Sequence, residues 1–532
     1  MNKELFKNRI EKLQKTLNGK SFLLNRTDMF RGEYLSPHDE RVKWLCGFTG
    51  SNACVFFNDK EVYLFTDGRY LLQAEQEIPS FINIVDVSKY SAFNFVIKNL
   101  KNTLLLDPWL TSVSQVYEFE KRGVKIELLN ENPVDLMWED QPKQPTGEVF
   151  KHDIKYCGQT SIEKKKRLIK DLDGKTPFLI TDSENVCWLL NIRGSDLSYT
   201  PTYHCYAIVY SDKIDVYSHG NIEGHKKIYE LNKDLKKIEK IYSDTNRCPY
   251  KIKKSCNVIH ATDPIYVLKS CKNESEIQGA KKAHKKDSNA LKKFRNWLYK
   301  EISSEKLSEK KADEYLIKFR SEEEDFKTPS FPSIVGCNEN GAIIHYRVSD
   351  KTNKKIKKDD VLLVDSGGQY LDGTTDITRV YYFGKNPPKK LIELYTLVFK
   401  GLIALSDAIF PVGTSGAQLD ILARQFIWRN GLDYAHGTGH GVGSYLNVHE
   451  GPQGISKSST FPLMEGMIVS IEPGVYLENE FGIRLENLAF IKKHPSINGF
   501  LCFETLTCVP FESNLIDKSL LSKKEIDYFE IV

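Results

Sequence analysis

A twelve-residue pattern, E-x-V-x-W-L-x-x-[FI]-x-G-S, occurs twice in this chain. Glu40-Arg41-Val42-Lys43-Trp44-Leu45 leads to Phe48-Thr49-Gly50-Ser51, and 144 residues later Glu184-Asn185-Val186-Cys187-Trp188-Leu189 leads to Ile192-Arg193-Gly194-Ser195. Each copy is followed by two short apolar runs rich in β-branched and aromatic residues, at 54–57 and 62–65 after the first and at 205–210 and 214–217 after the second. A helix-like word followed by strands, repeated at a fixed offset, is the mark of a duplicated α/β unit. The first half of the chain is thereby restricted to two copies of one fold.

The remaining boundaries follow from punctuation. Trp138 to Pro145 holds two prolines in polar surroundings, which is linker chemistry, and the second copy runs out near Asp263-Pro264. From Glu274 to Glu301, Ile277, Ala280, His284, Leu291, Phe294 and Leu298 recur near helical spacing with lysines opposite, so a long helix opens a third domain. Beyond residue 330, strand-like runs at 361–364, 378–383, 467–471 and 483–491 flank helical stretches at 391–408 and 416–429, the pattern of an α+β domain. The expected architecture is two related N-terminal α/β domains, 1–141 and 142–267, followed by an α+β domain at 268–532. At 532 residues the chain has room for three or four domains of about 150 residues each.

Composition excludes several function classes. A net charge of +4 lacks the basic excess of a dedicated nucleic-acid binder, and the lysines of 274–301 are interleaved with Glu and Asp as on a solvated helix face. No 18-residue apolar run exists, and the first 20 residues interleave charges with Leu5, Ile10, Leu13 and Leu17 as an amphipathic helix does, unlike a signal peptide. The 11 cysteines form no CxxC pair, which reads as reduced thiols in a cytoplasmic protein without membrane or nucleic-acid partners.

The chemistry gathers in the last domain. Asp365 ends an apolar strand, the chain turns through Asp372-Gly373, and Asp376 lies eleven residues on; Glu472 ends a second strand, Pro473-Gly474 breaks it, and Glu486 follows fourteen residues on. If the two hairpins are neighbours, four carboxylates face one point. Buried together they would repel and raise one another's pKa unless cations compensated them, and two divalent ions cancel the charge. With His440 the donor set is oxygen-rich, has one imidazole and no thiolate, and suits Mn²⁺, Co²⁺ or Zn²⁺; a water between two such ions ionises near neutral pH, which implies a hydrolase. Neighbouring motifs fail on inspection. His436 to His440 has HxxxH spacing but its glycines forbid a helix, Val442 spoils a G-x-G-x-x-G match, and Gln14 stands where a P-loop requires glycine.

At these residues the sequence resembles the pita-bread metallopeptidases, and within them the aminopeptidase P (Xaa-Pro aminopeptidase) family in its three-domain cytosolic form. The resemblance rests on Gly341 to Tyr346, Val364-Asp365-Ser366-Gly367, Asp372 to Arg379, His436 to Gly443, Asn447 to Pro452, Glu472-Pro473-Gly474 and Gly482 to Asn487, and extends upstream through Thr66 to Tyr70 and Trp188 to Asp196. It implies a C-terminal pita-bread catalytic domain that releases an N-terminal residue from peptides with proline in second place. It also implies that Asp365, Asp376 and Glu486 hold one metal while Asp376, His440, Glu472 and Glu486 hold the other, usually Mn²⁺, with a bridging hydroxide as nucleophile and Glu472 taking the proton. By the same resemblance His449 stabilises the oxyanion or relays a proton, His345 and His436 line the proline side, and Arg69, Arg484, His440 and His449 contact substrate. A homodimer is the family expectation, and long members continue past the Glu504 block where this chain closes at Val532, which bears on dimer contacts made by such a tail.

From the residues alone, other readings stay open. His345, His436 and His449 are either substrate contacts or partners that orient carboxylates, and Arg69 either meets substrate or forms a salt bridge. Prolidase and methionine aminopeptidase share the metal site, although the Leu446 to Pro452 block favours aminopeptidase P and the duplicated upstream domains disfavour methionine aminopeptidase. A non-catalytic pita-bread protein that binds peptides is the remaining alternative, at odds with a complete set of five ligands.

Overall fold

A computed structural model of the chain describes residues 3–170 and 176–531. The described residues form two compact units, one made of 3–151, 160–198 and 202–265, the other of 152–159, 199–201 and 266–531.

The first unit holds two six-stranded sheets. Strands β1 (Ser21–Asn25), β2 (Cys54–Phe57), β3 (Val62–Thr66), β4 (Asn83–Asp86), β5 (Leu104–Leu106) and β6 (Ile126–Leu128) lie in the order β4-β3-β2-β1-β5-β6. Strands β7 (Phe178–Ile180), β8 (Cys205–Val209), β9 (Ile214–Ser218), β10 (Lys226–Lys227), β11 (Lys240–Ser243) and β12 (Asn257–His260) lie in the order β10-β9-β8-β7-β11-β12. The orders coincide strand for strand. So do the senses: the three strands on the hairpin side pair antiparallel, and the remaining pairings are parallel in both sheets. The duplication read from the repeated word is therefore a duplication of topology.

The word itself does the same work in both copies. It forms the helix between the first and second strands of each sheet, and that helix ends in a left-handed residue at the same place in the word, Gly47 (φ 86°) and Asn191 (φ 52°), conformations that glycine and asparagine tolerate. Trp44 lies under the Arg9 guanidinium, 4.0 Å from the ring centroid, and its carbonyl accepts from Arg9 Nη1. Trp188 lies under Lys164 Nζ at 4.2 Å, and its carbonyl accepts from that same ammonium. Arg9 belongs to helix α1 (Lys3–Leu17) and Lys164 to helix α2 (Ser161–Lys170), which occupy matching places ahead of their sheets.

The second unit contains the long helix α3 (Glu274–Glu301), over the full range its spacing predicts, followed by α4 (Glu309–Ser321). Its core packs helices α5 (Lys389–Ser406) and α6 (Gly416–Trp428) against strands, and the predicted stripe Leu391, Leu394, Val398, Leu402 and Leu405 is buried there against Val469, Ile471, Ile483 and Leu485. Two antiparallel sheets matter for the site. One joins β13 (Ile334–Cys337), β14 (Val361–Ser366) and β15 (Ile377–Tyr382). The other includes β16 (Gly439–Gly441), β17 (Glu450–Ile455), β18 (Ile468–Ile471) and β21 (Asn487–Lys493), while β19 (Gly474–Leu477) and β20 (Phe481–Arg484) form a separate hairpin. Among the described residues no helix is long and apolar enough to cross a membrane.

Candidate metal centre

The two hairpins converge through specific ties. β14 and β15 pair with Asp365 opposite Thr378, and Asp376 sits one residue before β15. Between them the chain passes Gly367 so closely that a Cβ there would lie 2.0 Å from the Thr375 carbonyl, and it turns at Leu371-Asp372, with Tyr370 paired to Gly373. The two-residue turn is thus one position earlier than the Asp372-Gly373 dipeptide suggests. Helix α3 braces this turn: a Cβ at Gly279 would meet the Asp372 carbonyl at 2.3 Å, and Lys286 Nζ donates to Asp372 Oδ2 at 2.9 Å.

The predicted strand 483–491 is two strands in two sheets, β20 and β21, and Glu486 lies in the break rather than on a strand. Side chains of β15 cause the break. Thr378 Oγ1 donates to Glu486 Oε2 (2.7 Å), Arg379 Nη1 donates to the Glu486 carbonyl (2.6 Å), and Glu486 N donates to the Thr378 carbonyl, which couples one hairpin's carboxylate to the other. Glu472 follows β18 and hands its N–H to the Thr438 carbonyl at 2.8 Å; its Oε1 accepts from Ser470 Oγ, which in turn accepts from His440 N.

Asp376, His440 and Glu486 each present a ligand atom within 4.8 Å of the others. His440 Nε2 is 3.5 Å from Asp376 and 3.6 Å from Glu472, while its Nδ1 meets the Gly441 carbonyl at 2.9 Å. A carbonyl only accepts, so Nδ1 carries the proton and Nε2 turns a lone pair inward, the orientation a metal-ligating histidine needs. Asp365 Oδ1, Asp376 Oδ1 and Glu486 Oε1 are buried without a hydrogen-bond donor. Burial, followed by the charge of Asp365 and Glu472, pushes the Asp376 carboxyl well above the ordinary carboxylate range; burial and then Asp376 and Glu472 do the same to Glu486. Three orphaned oxygens in an oxygen-rich, thiolate-free donor set fit divalent cations.

Arg484 is buried and its Nη2 meets Asp365 Oδ2 at 2.5 Å. Burial alone would lower its pKa, but Tyr476 and Asp365 outweigh that and hold it well above the usual value. Its Nη1 donates to Tyr476 Oη, so the Tyr476 hydroxyl donates onward to His436 Nε2 at 2.9 Å, and His436 keeps its proton on Nδ1 facing the Gly437 carbonyl. A hydrogen-bonded chain thus runs from Asp365 through Arg484 and Tyr476 to His436, whose Nδ1 is 3.8 Å from Glu472. Arg484, expected to contact substrate, is also a charge partner of Asp365.

The structure brings together Asp365, Asp376, His436, His440, Glu472 and Glu486, and sets His449 edge-on to His440 with ring centroids 4.4 Å apart. His345 is half-buried on the turn after the short helix Asn338–Ala342, next to Ile344, whose carbonyl faces Arg484 Nη2 at 3.5 Å. Arg69 belongs to the first unit, where it grips Asp67 with two 2.8 Å bonds. Sequence reasoning missed Tyr476, Thr378 and Ser470, whose residue types carry no metal-site signal.

Residues 278–493 match metallopeptidase family M24, 9–133 and 140–276 each match the creatinase/prolidase N-terminal domain, and 499–530 match the C-terminal region of peptidase M24. A Laccaria bicolor protein named "Probable Xaa-Pro aminopeptidase P" is 36% identical over 97% of this chain and 87% of its own length. Xaa-Pro aminopeptidase 1 of Dictyostelium discoideum is 35% identical over 99% of this chain and 92% of its own. The crystal structure of X-prolyl aminopeptidase from Caenorhabditis elegans, described as a cytosolic enzyme with a di-nuclear active site, superposes with a TM-score of 0.91 at 32% identity, covering 98% of this chain and 94% of that one. With creatinase-type N-terminal domains, a pita-bread catalytic domain and curated relatives named Xaa-Pro aminopeptidase that match 97% and 99% of its length, the chain belongs to metallopeptidase family M24, on its aminopeptidase P branch.

Proposed function

We propose that this protein is an Xaa-Pro aminopeptidase, which hydrolyses the bond between an N-terminal residue and a penultimate proline. The observation that carries the reading is the convergence of Asp376, His440 and Glu486 within 4.8 Å among orphaned carboxylate oxygens, on a chain whose relatives bear that enzyme's name. Asp365, Asp376 and Glu486 would hold one divalent ion and Asp376, His440, Glu472 and Glu486 the other, with Mn²⁺ the first choice and Co²⁺ or Zn²⁺ the alternatives. When bound, two such ions would supply Lewis acidity and would ionise a water near neutral pH, the bridging hydroxide of this reading.

The chain's own residues do the rest. Glu472, held by the Thr438 carbonyl and by Ser470, takes the proton at its free carboxylate edge. His449, edge-on to His440, serves the developing oxyanion, and His436 and His345 border the proline side. Arg484 offsets the charge of Asp365 and, through Tyr476, fixes the ring of His436. Arg69 is assigned to substrate. Proline lacks an N–H, so its recognition must come from ring contacts rather than a main-chain bond. Domain boundaries at 141/142 and 267/268, a cytoplasmic location and a homodimer complete the reading, the location supported by the description of the Caenorhabditis elegans relative as cytosolic.

The test is hydrolysis of Arg-Pro-Pro by purified protein after chelation and again after Mn²⁺ is restored, with Ala-Pro as the dipeptide comparison. Free arginine released only with metal is the expected result. Cleavage of Ala-Pro alone would replace the reading with prolidase, and silence with metal bound would replace it with a peptide-binding role.

A further inference from the structure

Helix α6 carries Asp420 and Arg424 one turn apart, both buried. Arg424 makes one bond along the helix, Nε to Asp420 Oδ2 (2.7 Å), and three outward from it: Nη1 to Asp433 Oδ1 (2.8 Å) and to the Tyr434 carbonyl (2.9 Å), and Nη2 to the His436 carbonyl (2.7 Å). Its guanidinium also lies 3.8 Å from the Tyr434 ring centroid. The other oxygen of Asp420 accepts from Thr438 Oγ1, to which Tyr434 Oη is also bonded at 2.6 Å. The segment they hold, 433–438, has no helix or strand of its own, so its buried carbonyls depend on these donors. Its C-terminal half reaches the site. The His436 ring stands 3.8 Å from Glu472, and the Thr438 carbonyl receives the Glu472 N–H.

A buried ion pair is by itself weak evidence for stability, since apolar side chains of the same volume often do as well. A planar fork that reaches two carbonyls and two carboxylates at once is a device for fixing geometry, and lysine cannot replace it. We propose that Arg424, with Asp420, is a positioning residue that sets Glu472 and His436 by clamping the 433–438 segment; this rests on the Xaa-Pro aminopeptidase reading for its kinetic part and only on the ligand role of Glu472 for its metal part. Removing such support from a ligand typically weakens metal binding or activity 10- to 100-fold, by the general behaviour of outer-shell partners.

The experiment compares wild type, Arg424→Lys and Arg295→Gln, the last breaking the Arg295–Glu512 pair elsewhere in the same unit. Each is titrated with Mn²⁺ by calorimetry, melted, and assayed on Arg-Pro-Pro. For Arg424→Lys the expected result is a 10- to 100-fold weaker second Mn²⁺ and a kcat lowered by a similar factor, with KM within about threefold. Arg295→Gln should lose melting temperature without either change. Wild-type Mn²⁺ affinity and kcat in Arg424→Lys, or equal losses in Arg295→Gln, overturn the proposal. Should Arg424→Lys not fold, the nearly isosteric Thr438→Val cuts the hydroxyl from Asp420 and is judged by the same measurements. A wild type that binds Mn²⁺ but releases no arginine refutes the enzymatic reading, while the titration still decides the role of Arg424.

Discussion

Replacing Asp376 by Asn should stabilise the metal-free protein while destroying its metal response. Asp376 and Glu486 offer oxygens within 4.8 Å of each other, and two unit charges at that distance repel by about 3 kcal/mol at an effective dielectric of about 20. Burial and like charge raise both carboxyls in the folded state. A raised folded pKa means that the fold prefers the protonated acid, so this contribution to stability is complete below the ordinary carboxylate value and drains away as pH rises through the raised one. Metal-free protein at pH 7.5 therefore folds against either that repulsion or the proton uptake that relieves it, and asparagine removes both costs with almost no change of shape. We expect the metal-free melting temperature to rise by roughly 2–6 °C, from ~1–3 kcal/mol at ~2 °C per kcal/mol for a unit of this size. Wild type in excess Mn²⁺ should gain more, about 2.7 kcal/mol at a hundred times Kd, and the variant should lose most of that gain along with turnover. Scanning calorimetry at pH 5 and 7.5, with chelator and with Mn²⁺, reads all of this. A metal-free variant that melts below wild type at pH 7.5, or a variant that keeps the full Mn²⁺ gain, would refute the reasoning.

Other outcomes are as definite. Glu472→Gln should lower kcat by about 10²–10⁴-fold, the usual worth of a positioned general base, and near-normal steady-state kinetics would remove Glu472 from that role. Glu486→Ala should abolish turnover, because in the proposed site both ions would share this carboxylate; substantial residual activity would sink the dinuclear assignment. Arg69→Ala should keep its metal content by elemental analysis and raise KM by roughly tenfold, the value of a charge-assisted hydrogen bond, whereas lost metal would contradict its assignment to substrate. Arg484→Met should destabilise metal-free protein by about 3–5 kcal/mol because it strands Asp365, and less when Mn²⁺ is present to carry the charge; equal melting losses with and without metal would show that Arg484 does not compensate Asp365.

Much of this site was readable before any coordinates, and for local reasons. Apolar runs ending in Asp365 and Glu472, short turns, and return segments bearing Asp376 and Glu486 are short-range patterns, and so are the α3 spacing and the repeated tryptophan word. What stayed hidden depends on long-range partners. Arg484 meets Asp365 across 119 residues of sequence and Tyr476 meets His436 across 40, and such bonds leave no period in the chain. The break at Glu486 was invisible for the same cause, since the apolar residues 483–491 read as one strand until Thr378 and Arg379 claim the Glu486 side chain and carbonyl.

The contact between Gly279 and the Asp372 carbonyl has a bearing on how variants of this chain are interpreted. Helix α3 contributes no ligand, yet its surface at this point has no room even for a methyl group, and the turn it supports runs into Asp376 within four residues. An alanine at position 279 would have to lift the helix or push the turn, and the rigid hairpin would carry the shift to the ions. Screens for inactive variants should accordingly find a sensitive position on the outer scaffold with normal chemistry in every side chain around the metals. Such a hit would be taken for a docking residue or a misfolded protein, when its effect is a displaced ligand; a metal titration tells the three apart.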